Sequence, residues 1–124
     1  MMNNSITWFE IPALDYDRAK KFYNTILDVE ITDMPMPEGK YGFFPHDKDG
    51  YGSGGGIMQH ESMKPTTDGP NLYLDAGEDL SIALGKIEAA GGKILQPKTA
   101  IGENGFMALF IDTEGNKMAL HSMK

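Results

Sequence analysis

A chain of 124 residues, 40% hydrophobic and 23% charged, can build one sizeable core and holds no low-complexity tract. The absence of cysteine excludes disulfides, thiolate ligands and thiol nucleophiles. A net charge of −7 argues against nucleic acid, which needs clustered Lys and Arg, and is compatible with a cationic ligand.

No stretch approaches the roughly 20 apolar residues that span a bilayer, so no membrane association is expected. The polar start at residues 1–5 lacks a basic-then-apolar signal pattern, which leaves a cytoplasmic location as the expectation. Residues 6–11 form a β-prone run that Pro12 ends. Asp15 or Asp17 offers an N-cap, and Ala19, Phe22, Tyr23 and Ile26 follow at i, i+3, i+4 and i+7, the spacing of a helix with one buried face. Residues 29–32, 41–44 and 57–59 read as strands. Residues 47–56 hold five of the fifteen glycines and read as a flexible loop, a mobile flap near Tyr41, His46 and Tyr51.

The pattern then repeats. After a proline-bounded connection at residues 64–70, residues 71–75 resume as a strand. Leu80, Ala83, Leu84 and Ile87 repeat the helical spacing, and Gly91-Gly92 supplies a left-handed stop. Residues 93–96, 106–111 and 117–121 are the last strands, with Asp112-Thr113-Glu114-Gly115-Asn116 as a hairpin turn. The expected fold is α+β: two βαβββ modules, 5–62 and 69–124, in one domain over 1–124. Their mixed sheets would cup one cavity, with the helices outside.

Several segments resemble the vicinal-oxygen-chelate superfamily of glyoxalase I, fosfomycin- and bleomycin-resistance proteins and extradiol dioxygenases. They are Ile11-Pro12 with Arg18-Ala19-Lys20-Lys21-Phe22-Tyr23, then Ile87-Glu88-Ala89-Ala90-Gly91-Gly92, then the run from Asp112 to Leu120. The resemblance covers nearly the whole chain and implies a homodimer. It also implies a metal held by His, Glu or Gln from the first and last strand of each module, ligands that must converge within about 2.0–2.3 Å of one ion. In this chain those positions fall on Trp8 (or Ile6), Gly56, Asn71 and Ala119, none a good ligand. The usual metal site is therefore expected to be absent, and no cofactor is predicted.

Strand alternation puts Glu10, His60, Tyr73 and His121 on the same faces as those positions. A ligand pocket of Trp8, Glu10, Gly56, Met58, Asn71, Tyr73, Ala119 and His121 follows, in a small-molecule-binding protein. The alternative is a metal-dependent lyase or dioxygenase-type enzyme, with Zn, Ni, Mn or Fe at a displaced Glu10, His60 and His121 site. Glu10, desolvated beside Trp8, could also serve as a catalytic base. The bland readings are a surface Glu paired with Lys, solvated histidines, and aromatic and methionine side chains that only fill the core.

Overall fold

The computed structural model describes residues 4–47 and 49–124; the first three residues of the polar start, and Lys48 in the glycine-rich segment, lie outside the described residues. The first module runs β1 (Trp8–Pro12), α1 (Tyr16–Leu27), β2 (Thr32–Met34), β3 (Lys40–Phe43) and β4 (Gly54–Gln59). The second runs β5 (Tyr73–Asp75), α2 (Ser81–Leu84), β6 (Lys93–Ala100), β7 (Phe106–Ile111) and β8 (Lys117–Ser122). Each makes a four-stranded mixed sheet, ordered β1-β4-β3-β2 and β5-β8-β7-β6, with the first and last strands parallel. The α+β class and the paired βαβββ modules expected from the sequence are the fold. Among the described residues no helix is long and apolar enough to cross a membrane.

Helix α1 forms where its spacing predicts. The Asp15 carboxylate accepts from Arg18 N at 3.2 Å, and Tyr16, Ala19, Phe22, Tyr23 and Ile26 are buried. Phe22 packs on Phe110 of the second sheet at 6.0 Å between ring centroids, and Tyr23 on Phe44 at 5.8 Å. Each such buried side chain contributes roughly 1.5–3 kcal/mol. One core therefore serves both modules, uniting Ile11, Ile57, Leu74, Leu80, Ile87 and Leu120 with the helix. The helix ends at Asp28, whose φ of 52° is a left-handed conformation that a short polar side chain tolerates.

Four sequence expectations need correction. Residues 29–31 are not strand, because Val29 N donates to Asn24 O and Ile31 N to Asn24 Oδ1 at 2.9 Å, closing the helix instead. Helix α2 is only four residues long: Asp79 Oδ1 accepts from Ser81 N at 2.9 Å at its start, but Gly85 follows the fourth residue at once. The remaining apolar positions sit in turns that Gly91, at φ 108°, closes as foreseen. Strand β6 continues through Pro97 to Ala100, which an edge strand with register shifts permits. Finally, Gly54, Gly55 and Gly56 are not loop but the start of β4, an inner strand.

The hairpin turn forms as predicted and joins the modules. Glu114 accepts from Leu14 N at 2.9 Å, Asp15 N at 2.7 Å, and Arg18 Nε at 2.7 Å. Asp112 accepts from Tyr23 Oη at 2.6 Å and from the backbone N–H groups of Glu114 and Asn116. Asn116 Nδ2 donates to Pro12 O at 2.7 Å. Burial raises the Tyr23 phenol far above its ordinary value, and the adjacent Asp112 raises it further. Burial pushes the Glu114 carboxyl up, but Arg18, the Asp15 N–H and Thr113 together outweigh it, leaving a lowered pKa. Among the described residues no buried side-chain nitrogen or oxygen lacks a partner.

Candidate functional site

The side of the first sheet facing away from the shared core carries an open hollow of about 340 Å³. Strand β1 contributes Trp8 and Glu10, β3 contributes Tyr41 and Phe43, and β4 contributes Met58. Met34 at the end of β2 and Met36 just beyond close one side. Alternation sends Phe9 to the core and Trp8 to the hollow, so the two aromatics divide as the sequence requires.

The glycines of β4 explain why the rings fit. Gly54 stands opposite Trp8, and a β-carbon there would lie 2.9 Å from the indole. A β-carbon on Gly56 would lie 2.6 Å from the Tyr41 ring and 2.5 Å from Gly42 O. With only hydrogen at both positions, the rings settle onto the backbone of an inner strand. Trp8 Nε1 donates to Tyr41 Oη at 2.7 Å. Phe43 stands edge-on to both neighbours, at 78° to Trp8 and 68° to Tyr41. Burial raises the Tyr41 phenol above its ordinary value; the Trp8 hydrogen bond opposes this and the Glu10 carboxylate adds to it. The hydroxyl therefore stays protonated next to the one acidic side chain of the hollow.

Of the pocket residues read from the sequence, the structure brings together Trp8, Glu10 and Met58, with Gly56 beneath Tyr41. Asn71, Tyr73, Ala119 and His121 belong to the second module. There Tyr73 pairs with Ala119 and Asp75 with His121, and Tyr73 is 53% exposed. Glu10 is exposed in this chain, so the desolvation expected of it is not seen. Phe43, Met34 and Met36 were not singled out. The alternating Met34-Pro35-Met36-Pro37 run is the signal in the sequence that points to the two methionines.

The displaced trio of Glu10, His60 and His121 is not assembled within the chain. His60 Nδ1 accepts from Ser62 N at 3.1 Å, and its Nε2 lies 3.7 Å from Glu38. His121 Nε2 donates to Asn104 O at 2.6 Å, on the other sheet. Among the described residues no three His, Asp or Glu side chains converge as metal ligands. The four positions where the resemblance implies ligands hold an indole, a hydrogen, an amide and a methyl, a donor set that does not fit a metal ion.

Comparison with known proteins agrees with this architecture. No curated protein matches the chain. A glyoxalase/bleomycin resistance protein from Albidiferax ferrireducens T118 superposes with a TM-score of 0.72 at 17% identity, covering 94% of this chain and 97% of that one. TnmS3, an antibiotic binding protein from Streptomyces sp. CB03234, gives 0.66 at 20% identity over 100% of both chains. The V278E mutant of glyoxalase I from Zea mays gives 0.70 at 17% identity over 94% of this chain, which spans only 45% of that enzyme. These likenesses establish the fold. The family model Glyoxalase/Bleomycin resistance protein/Dioxygenase superfamily matches residues 5–120, nearly the full length over which the duplicated modules were traced. With its two modules, shared core and matched span, the chain belongs to that superfamily.

Proposed function

We propose that this protein binds a small molecule on the outer face of its first sheet, without the metal chemistry of its catalytic relatives. The observation that carries this reading is the hollow itself, with aromatic and methionine walls, a single carboxylate and a glycine floor. Its volume of about 340 Å³ is at the small end of the usual range of roughly 300–1,000 Å³ for such sites. The antibiotic-binding description of TnmS3 supports it as a precedent on the same fold.

The working unit is a homodimer in the cytoplasm. Each chain presents two open sheet faces, with Trp8 42% exposed on one and Tyr73 53% on the other. A two-fold pair would set the first sheet of one copy against the second sheet of the other, twice. Asn71, Tyr73 and His121, with the buried Ala119 beneath them, would then complete the wall around Trp8, Glu10 and Met58. The acidic net charge and Glu10 suit a cationic ligand.

Thermal-shift screening of chelator-treated protein against small organic cations and neutral drugs tests the reading. A ligand that binds only the folded state adds about 2.7 kcal/mol at 100 times its dissociation constant. Glu10→Gln should weaken the binding of a cationic hit and leave the apo melting temperature unchanged. Saturable stabilisation by Zn, Ni, Mn or Fe(II), abolished by His121→Ala, would overturn the reading in favour of a metalloenzyme. Turnover lost in Glu10→Gln with binding retained would make Glu10 a base. Sedimentation at the mass of one chain would overturn the dimer.

A further inference from the structure

The polar lining of the hollow is sparse, and its sparseness restricts the ligand. Glu10 supplies the one carboxylate. The Tyr41 hydroxyl already accepts from Trp8 Nε1 at 2.7 Å. Every other lining side chain is an aromatic ring or a thioether, and thioethers are weak acceptors. A primary ammonium brings three N–H donors and a guanidinium five, and beyond Glu10 the walls that the first sheet gives the hollow offer them no strong acceptor. An ammonium whose valences are all carbon has no donor to satisfy. Its charge is met by ring faces and by a nearby carboxylate, and its methyl groups by the methionine walls.

The angles of the rings point the same way. Phe43 lies at 78° to Trp8 and 68° to Tyr41. Walls set steeply to one another make a corner for a rounded group, whereas a flat polycycle needs parallel faces on which to stack. Resting on the reading of this hollow as a ligand site, we infer that it selects a trimethylammonium group carried by a small molecule. It does so through the Trp8, Tyr41 and Phe43 rings, with Glu10 as counter-charge. Glu10 also sets a second preference. A carboxylate on the ligand close to its nitrogen would face Glu10 and be repelled, so a choline-type alcohol is favoured over a betaine-type zwitterion.

Trp8 is the only tryptophan of the chain, so its fluorescence reports on this hollow alone. The probes are choline, glycine betaine and dimethylbutanol, the neutral isostere of choline with carbon in place of nitrogen. Choline should change Trp8 emission saturably and bind about tenfold more tightly than the isostere. Glycine betaine should bind more weakly than choline, and Glu10→Gln should erase that difference and narrow, without abolishing, the preference for choline over its isostere, while the melting temperature is unchanged. Equal binding of choline and its isostere would overturn the charge selection and leave the ligand site standing. Emission that responds only to flat neutral aromatics would overturn the corner geometry. If none of the three probes moves emission or melting temperature, the inference fails, and the broader screen decides separately whether the hollow binds anything.

Discussion

The two modules share a strand order, yet their outer faces differ in what their inner strands carry. Both edge strands present an aromatic side chain and, two residues on, a carboxylate: Trp8 and Glu10 on β1, Tyr73 and Asp75 on β5. Opposite them β4 offers Gly54 and Gly56, whereas β8 offers Ala119 and His121. On the first sheet the missing side chains let Trp8 and Tyr41 lie against the backbone and leave a hollow. On the second a methyl and an imidazole stand in the matching places, and Tyr73 remains exposed. Duplication accounts for topology; side-chain volume on one inner strand accounts for whether a face carries a hollow.

The largest break in this comparison removes what binds the unlike halves together. Asp112→Ala strips the acceptor from Tyr23 Oη, two backbone N–H groups and Asn116 Nδ2. It should cost about 3–5 kcal/mol in urea unfolding, because each buried donor left without an acceptor costs about 1–3 kcal/mol. A loss below about 1 kcal/mol would mean that the apolar core alone joins the modules. Gly56→Val makes the first sheet resemble the second by driving a side chain into Tyr41 and Gly42 O. We expect a loss of about 1–3 kcal/mol, with the hollow closed to ligand. Retained ligand affinity in that variant would separate the glycine floor from binding.

Acid sharpens the contrast, because Glu114 in the joining turn has a pKa held below its ordinary 4.5 while folded. A lowered folded-state pKa adds stability above about 4.5, and that stability drains as pH falls through the depressed value. Unfolding free energy should thus be steady from neutral pH to near 5 and then decline. In Glu114→Gln the decline should be shallower, with lower stability at neutral pH; an unchanged slope would sink the assignment. The smallest effect is expected from Ala119→Gly, which gives the second sheet the floor of the first. It should cost about 0.5–1 kcal/mol, and any new ligand binding beside Tyr73 would show that floor volume by itself creates a site.

What could be read from the sequence follows how local the cause is. Helix α1 announced itself through Asp15 and the spacing of Ala19, Phe22, Tyr23 and Ile26. The Asp112–Asn116 turn did so through residues that hydrogen-bond their own backbone. Gly54 to Gly56 misled because consecutive glycines carry a loop signal. Their strand role depends on Trp8 and Tyr41, rings that come from 46 and 15 or so positions away in other strands. The hollow was half legible: Trp8, Glu10 and Met58 follow from alternation, but Met34, Met36 and Phe43 join only through the pairing of β2 with β3. The hydrogen bond of Glu114 to Arg18 links residues 96 apart and had no local sign.

That last link governs the order in which the chain can be assembled. The N–H groups of Leu14 and Asp15 find their acceptor 100 and 99 residues downstream, on Glu114. During synthesis from the N-terminus, α1 therefore waits with only its own Asp15 cap, and Phe22 waits for Phe110, until the C-terminal hairpin has emerged. The first module, although it carries the hollow, cannot mature ahead of the second. A nascent chain stalled before residue 112 should be open to protease along α1, and release of the last hairpin should protect it in a single step.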